Sequence, residues 1–224
     1  MEEKKAIENN SLSHLIAEKI THQIMVGELK PGEKIIETDY AEEFGTSRAP
    51  IRESLYLLAT EGLIERIPRK GAIVKGYNEY EIYDLLEIRI GLESLALKRV
   101  KTFGMNENIF KQLQEIVEEM ETTEDKEKYA YLNKQFHTGI IKMSNSSIIK
   151  DMYRRLGQPL LALQKISLHE EEHIRQSLAD HKRIIELLKE KQIDRARQAL
   201  ARHNQAGINR IKAKLFKNKG DVDS

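Results

Sequence analysis

Three histidines and one asparagine are the residues of this chain whose types and spacing point most directly to chemistry. Asn133 and His137 lie four residues apart, on one face of a predicted helix. His181 continues an apolar stripe, and His203 lies in line with Leu200. Two antiparallel helices could bring His181 and His203 together, and a third could add the other pair. Three imidazoles and one oxygen donor would bind a divalent transition metal, zinc or nickel, one per chain, and leave one position open.

The same histidines have a simpler interpretation, in which each is a core residue bonded to backbone or carboxylate. A three-histidine site with an open position could also activate water, so metal-dependent hydrolysis is an alternative function. No acid or base stands out beside the histidines, however, and we expect a protein that is not an enzyme. A metal-sensing regulator, in which the ion itself is the signal, is a further alternative.

The composition limits the classes of protein that remain. The 224-residue chain has 33% charged and 40% hydrophobic residues, which is typical of a globular protein. It contains no cysteine, which excludes disulfides, thiolate zinc sites and cysteine nucleophiles. No stretch approaches the roughly 20 apolar residues that span a bilayer, so we expect a cytoplasmic protein with no membrane partner. The net charge of +1 does not by itself indicate nucleic acid, although four basic residues cluster between Arg66 and Lys75.

The first third of the chain alternates short amphipathic patterns with tight turns. Apolar residues at helical spacing predict three helices, which end at Gly27, Gly45 and Gly62. Two β-capable runs follow, at 63–67 and 72–74, and a basic turn between them predicts a small β-hairpin. This order is that of a winged helix-turn-helix, which places its recognition helix in the major groove of double-stranded DNA. A small helical domain with ordinary surface arginines is the alternative.

Candidate DNA contacts follow from that order. Arg48 and Arg52 begin the recognition helix and share the face opposite its apolar stripe. Arginine can grip guanine or phosphate through two parallel hydrogen bonds. The tip of the hairpin would reach an adjacent groove or the DNA backbone. The candidate DNA-binding residues are Ser47, Arg48, Ala49, Arg52, Arg69, Lys70 and Gly71.

The rest of the chain shows only helical patterns, interrupted by short polar or glycine-containing breaks. About six helices are predicted, near 79–102, 106–121, 125–143, 147–167, 171–190 and 192–215, with an interruption or kink at 157–159 in the fourth. The predicted fold is therefore mainly α, with an N-terminal winged helix-turn-helix and a C-terminal all-α bundle. The predicted domains are 11–77 for DNA binding and 78–216 for the helical domain, and 217–224 is expected to be a disordered tail.

Residues 11–77 closely resemble the winged helix-turn-helix of the GntR family of bacterial transcription regulators. The stretches that carry the resemblance are GELKPG at 27–32, AEEFGTSRAPIRESL at 41–55, EGLIE at 61–65, and Gly71. The resemblance implies a homodimer that binds operator DNA. That family often carries a DNA-contacting arginine just before the second helix, where this chain has Thr38. The departure implies a different operator or a different strength of binding.

The C-terminal region resembles the FCD ligand-binding domain of the FadR subfamily of those regulators. The matching stretches are EIRIGLE at 87–93, Asn133-x-x-Phe-His137, Asp180-His181 and Ala199-x-x-x-His203. Many members bind a metal through one aspartate and three histidines, and the metal helps to hold a small carboxylate effector. The resemblance therefore implies His137, His181 and His203 as metal ligands, with Asn133 in the place of the aspartate.

An organic acid effector would also need a cationic partner near the metal. Arg89 is the candidate effector-binding residue, because a guanidinium can bind a carboxylate with two hydrogen bonds. The alternative is that Arg89 pairs with a nearby glutamate inside the bundle. The effector would act by changing the affinity of the dimer for its operator.

Overall fold

The computed structural model describes residues 12–67 and 71–216, in two compact units divided between Asn78 and Glu79. The first unit contains α1 (Leu12–Met25), β1 (Lys34–Ile35), α2 (Glu37–Glu43), α3 (Arg48–Thr60), β2 (Ile64–Ile67) and β3 (Gly71–Val74). The second contains α4 (Glu79–Phe103), α5 (Glu107–Thr122), α6 (Lys126–Met143), α7 (Ser147–Arg154), α8 (Gly157–Ser167), α9 (Glu171–Lys189) and α10 (Ile193–Leu215). This architecture confirms the predicted fold class. The predicted disordered tail, 217–224, lies outside the described residues.

The strands of the first unit form an antiparallel sheet in the order β1-β3-β2. Ile67 pairs with Gly71 at the end of the predicted hairpin, and Lys34 pairs with Ile73 on the other side of β3. The sequence did not predict β1, because a two-residue strand is too short to show an alternating pattern. The tip of the hairpin, with Arg69 and Lys70, falls outside the described residues.

The helices of the first unit bury their apolar stripes against one another. α1 packs on α3, and the fully buried side chains include Ile16, Ile20, Ile51 and Leu55. Ser47 is the N-cap residue of α3 by its extended backbone, although its side chain makes no capping hydrogen bond. The apolar positions of α3 therefore face inward, and the N-terminal turn of the helix is presented to solvent.

The second unit has seven helices among the described residues, where the sequence predicted about six. The difference lies in the predicted helix 147–167, which ends at Arg154 and resumes at Gly157 as α8. Pro159 falls in the first turn of α8, where its missing N–H costs no hydrogen bond. Side-chain caps begin three of the other helices, at Asn106, Asp125 and Ser146.

The core of the second unit is formed mainly by α4, α5, α6, α9 and α10. α10 packs on α9, α4 and α8, while α6 packs on α5 and α4. Buried aliphatic and aromatic side chains fill the space between them, among them Leu97, Leu113, Phe136, Ile184 and Leu200. In the described part of the chain, no helix has the length and apolarity needed to cross a membrane.

We expect Gly71→Ala to destabilise the first unit by about 2–4 kcal/mol. Gly71 has a φ of +90°, and an added Cβ would lie 2.1 Å from the carbonyl oxygen of Ile35. Gly32→Ala is the matched control, because Gly32 has a φ of +91° but no described atom within 4 Å of the added Cβ. The control should cost only the left-handed backbone strain, about 1–2 kcal/mol. Urea unfolding with hydrogen exchange in β3 measures both, and equal losses would contradict the steric argument.

Candidate metal centre and nucleic-acid interface

Three helices of the second unit bring three histidines together inside the core. His137 projects from α6, His181 from α9 and His203 from α10, and all three are buried. One ring nitrogen from each lies within 4.8 Å of those of the other two. The Nε2 atoms of His181 and His203 are 3.2 Å apart. The three predicted ligands therefore occupy one place in the fold, within the range that a single ion can bridge.

Two buried or half-buried carboxylates fix the orientation of two of these rings. His137 Nδ1 lies 3.2 Å from Glu93 Oε2, and His203 Nδ1 lies 3.2 Å from Asp180 Oδ2. Because a carboxylate accepts, we assign the ring proton of each histidine to Nδ1. The lone pair is then on Nε2, the arrangement in which histidine binds metals. His137 Nε2 is buried, with no hydrogen-bond partner among the described residues.

All three histidines are held in the neutral form. Burial, and after it the nearby Arg89 cation, lower the pKa of His137 to about 3, although the Glu93 carboxylate opposes the shift. Burial also holds the pKa of His181 well below its ordinary value, with a contribution from His203. Burial lowers the pKa of His203 in the same way, although Asp180 opposes the shift. Neutral imidazole is the form that binds a metal ion.

Asn133 lies one turn before His137 on α6 and is almost fully buried. It lines a small cavity of mixed polar and aliphatic walls, whose polar residues include Arg89, Gln164, His203 and Asn204. The cavity has room for little more than a water molecule. Asn133 and His203 thus share the wall of one cavity, and the part of Asn133 as a fourth, neutral ligand stays a prediction.

Glu93 is the most connected residue of this site, and the sequence did not single it out. Its Oε1 accepts from Arg89 Nε at 2.9 Å and from the Tyr153 hydroxyl at 3.1 Å. Its Oε2 accepts from Asn204 Nδ2 at 2.7 Å, besides facing His137. Complete burial raises the pKa of Glu93, but Arg89 and the hydrogen bonds from His137 and Asn204 hold it below its ordinary value. The four donors come from four different helices, so only the four-residue spacing of Arg89 and Glu93 leaves a local pattern in the sequence.

Arg89 lies in the wall of the cavity, and its partner there is the Glu93 carboxylate. The pair is separated by four residues on α4 and is almost fully buried. This is the second of the two interpretations offered by the sequence, in which Arg89 pairs with a glutamate of the bundle. A direct contact between Arg89 and an effector stays a prediction, and it would have to share the guanidinium with Glu93.

The N-terminal turn of α3 presents the predicted DNA-contacting residues to solvent. Ser47, Arg48, Ala49 and Arg52 are all exposed. Gly71 borders the same concave surface, beside Arg48 and Arg52. Its positive φ and its close approach to Ile35 account for the glycine structurally. The predicted contacts at Arg69 and Lys70 lie outside the described residues.

Glu37 pairs with both arginines of α3, and the sequence did not predict it. Its Oε2 accepts from Arg48 Nη2 at 3.3 Å and from Arg52 Nη2 at 3.0 Å. A further bond joins Arg52 Nε to Glu37 Oε1 at 3.3 Å. These bonds, with the one from Arg52 contributing most, lower the pKa of Glu37. The carboxylate is therefore charged at neutral pH and restrains both guanidinium groups before any ligand binds.

Two neighbours complete this concave surface. The guanidinium carbon of Arg66 lies 3.6 Å from the ring centroid of Tyr56, which fixes a third cation near the other two. Thr38, predicted to lie just before the second helix, is in the first turn of α2 instead, and its hydroxyl donates to Asp39 at 3.0 Å. Among the described residues, the surface thus carries three arginines and one carboxylate.

Comparison with protein families matches both units of the chain. The description "Bacterial regulatory proteins, gntR family" covers residues 12–74, and the FCD domain covers residues 84–206, more than half of the chain. The chain belongs to the GntR family of bacterial regulatory proteins and carries an FCD domain. It is a transcriptional regulator with a helix-turn-helix DNA-binding domain.

Individual relatives are transcriptional regulators of similar length. The gluconate operon transcriptional repressor of Bacillus subtilis is 30% identical over 189 residues, covering 81% of this chain and 76% of the repressor. The regulator YdhC of Bacillus subtilis is 28% identical over 188 residues, with 83% and 84% covered. The solved structure of McbR/YncC from E. coli has a TM-score of 0.70 at 23% identity, with 91% of this chain and 98% of that chain covered.

For protein freed of metal by a chelator, we expect the free energy of unfolding to fall as the pH drops below about 6.5. Unfolded histidine binds a proton near pH 6.5, whereas folded His137 does so only near pH 3, so the unfolded state binds more protons between these values. His137 should contribute up to about 1.4 kcal/mol per pH unit in this range, and His181 and His203, whose pKa values are also lowered, should add to the slope. The stability is fully present above pH 6.5.

Urea titrations of the C-terminal unit at pH 7, 6 and 5 measure this slope. His181→Phe should reduce it by the share of one histidine, and the exposed His22→Gln in α1 should leave it unchanged. The carboxyl pKa of Glu93 is also lowered, but its effect is confined to pH values below its ordinary range near 4.5. Equal stability at pH 7 and pH 5 would contradict the neutral assignment of the histidines.

Proposed function

We propose that this regulator is a cytoplasmic homodimer of the FadR subfamily that binds operator DNA through α3. A small organic acid that binds beside a metal ion in the FCD domain changes the affinity of the dimer for the operator. Relatives matched over most of their length, among them a gluconate operon repressor, support a role in transcriptional control. A dimer presents two recognition helices, as a two-fold symmetric operator requires.

The DNA-binding part of the proposal depends on the exposed arginines of α3. Arg48 and Arg52 lie one turn apart on the helix that a helix-turn-helix inserts into the major groove. Glu37 restrains both guanidinium groups, which lowers the conformational entropy that they lose on binding. The Glu37 carboxylate also repels the phosphate groups of DNA. Each arginine must therefore gain more from its contact with DNA than it loses in its ion pair with Glu37. This favours bidentate guanine contacts over loose attraction to the backbone.

The metal part of the proposal depends on the buried, unpartnered Nε2 of His137. A buried nitrogen without a partner is costly unless a ligand occupies it, and the other two histidines place nitrogens within bridging distance. The Nε2 atoms of the three histidines and the amide oxygen of Asn133 would hold one zinc or nickel ion. When bound, the ion would supply a positive charge to which the carboxylate of an effector can attach. Glu93 and Asp180 would fix the two rings and balance part of that charge.

Coupling between the two units follows from the size of the cavity. An organic acid is larger than the space beside Asn133 and Gln164, so its binding would require the side chains or helices that line the cavity to move. A shift of packed helices is a discrete rearrangement that a dimer can transmit to its recognition helices. The expected coupling is about 1–3 kcal/mol, and operator DNA must change effector affinity by the same factor.

We expect Arg48→Ala and Arg52→Ala each to weaken binding to the preferred operator by about tenfold to a hundredfold, the value of one bidentate base contact. The operator is first selected from random double-stranded oligonucleotides with the unaltered protein. Arg183→Ala, which removes an exposed arginine of α9, is the matched control and should bind normally. Thermal melting should be unchanged in all three. Normal operator binding by both α3 variants would exclude α3 as the recognition helix.

We expect purified, untagged protein to contain about one zinc or nickel ion per chain by elemental analysis. His181→Ala should lose the ion because it removes one of three imidazoles, while His22→Ala on α1 should retain it. Asn133→Asp should raise metal affinity by supplying a charged oxygen ligand.

The outcomes separate the parts of the proposal. Absence of metal in the parent protein after reconstitution would overturn the metal site and leave the DNA-binding part intact. Operator affinity that follows metal concentration, with no organic acid present, would instead make the ion the signal.

A further inference from the structure

The outward face of α4 carries large apolar side chains that nothing in the described chain covers. Tyr80 is 79% exposed, Ile88 52%, Leu95 44% and Phe103 72%. All lie on one side of the 25-residue helix, which spans about 35 Å from the first to the last of them. An exposed face of this length that carries four large apolar side chains indicates a binding surface.

The residues of this face are arranged symmetrically about the point between Gly91 and Leu92. At equal distances on either side lie Ile88 and Leu95, then Asp84 and Arg99, and finally Tyr80 and Phe103. Each pair matches in chemistry: aliphatic with aliphatic, acid with base, and aromatic with aromatic. Such an order is self-complementary when the helix meets a second copy of itself running in the opposite direction.

The charges decide in favour of a second copy over an unrelated apolar partner. In an antiparallel pair with the two-fold axis between Gly91 and Leu92, Asp84 of each copy lies at the level of Arg99 of the other. Arg99 is held at the surface, because its Nε donates to the carbonyl oxygen of Ser144 at 3.2 Å and its guanidinium carbon lies 4.8 Å from the Phe103 ring centroid. Two ion pairs, one on each side of the axis, would then flank an apolar centre.

Gly91 supplies a second, independent indication. It lies exposed in the interior of α4, and no described atom lies within 4 Å of the position of an added Cβ. Glycine destabilises a helix interior relative to alanine, and the contacts within the chain give no reason for it here. A second helix crossing at this point does give a reason, because the missing side chain lets the two backbones approach closely.

The spacing of the face sets the crossing geometry. Asp84, Ile88, Gly91 and Leu95 follow one another at intervals of four, three and four residues, as in the seam of a coiled coil. Helices that pack along such a seam cross at about 20°. At that angle the acidic and basic residues at the two ends of the seam come within reach of each other.

We propose that two copies of this chain associate through antiparallel packing of α4 on α4, across a two-fold axis between Gly91 and Leu92. The inference rests on the homodimer of the proposed function and assigns its interface. Ile88 packs on Leu95 of the second copy, Leu92 lies beside Leu92 of the second copy, and Asp84 pairs with Arg99 of the second copy.

Because the chain has no cysteine, single cysteines can map this interface without background. Leu92→Cys should form a disulfide-linked dimer under mild oxidation, since residues next to the axis bring their Cβ atoms within about 4 Å. Tyr131→Cys is the matched control, on the half-exposed surface of α6, and should stay uncrosslinked. A crosslink through residue 131 and none through residue 92 would overturn the proposal.

Charge reversal tests the same interface in solution by sedimentation equilibrium. Asp84→Arg should weaken dimerisation at least about tenfold, because it places two like charges at each end of the seam. Adding Arg99→Asp should restore the dimer, and Glu118→Arg, the same change on the exposed face of α5, should have no effect. A failure of the double variant to recover affinity, with its fold intact by circular dichroism, would overturn the pairing.

These experiments separate the interface from the proposed function. If the unaltered protein sediments as a monomer at all concentrations tested, both the homodimer and this interface are wrong. If it is a dimer that Leu92→Cys does not crosslink and Asp84→Arg does not weaken, only the α4 interface is wrong, and operator binding by a dimer is unaffected.

Discussion

One buried negative charge determines how the C-terminal unit is assembled. The Glu93 carboxylate has no contact with water, and a buried charge is tolerated only when hydrogen-bond donors replace the lost solvent. Arg89, Tyr153, His137 and Asn204 supply those donors from α4, α7, α6 and α10. If any one of these donors is removed, the buried carboxylate is left with too few hydrogen bonds, which is energetically costly. The carboxylate therefore fixes the mutual positions of four helices and the tautomer of one histidine together.

The sequence was informative where the physical signal is local. Apolar periodicity predicted most of the helices, and the stripes that contain His181 and His203 placed both side chains inside the bundle. The convergence of donors from other helices on Glu93 and the pairing of Glu37 with α3 were missed, because these partners lie on other elements, up to 111 residues away. Gly157 and Pro159 indicated a break between α7 and α8. Such residues occur both where a helix kinks and where one helix ends and another begins, so the sequence could not distinguish the two.

A glutamate also orients functional side chains in the first unit, as Glu93 does in the second. Glu37 holds two arginines of α3, in a position where solvent reaches all three side chains to differing degrees. Such exposed pairs add little to stability, so their value lies in the direction they give the guanidinium groups. In both units a glutamate from a neighbouring turn or helix orients the residues to which function is assigned.

Residues 89–93 form about one turn of α4, which faces the cavity on one side and solvent on the other. Arg89 lines the cavity and Glu93 contacts His137, while Gly91 between them is open to solvent. Only the thickness of one helix therefore separates the pocket from the surface assigned to the second copy. If two copies meet there and each pocket binds an effector, the two pockets of a dimer are close neighbours. Occupation of one would then change the affinity of the other through α4, so the two sites would not be independent.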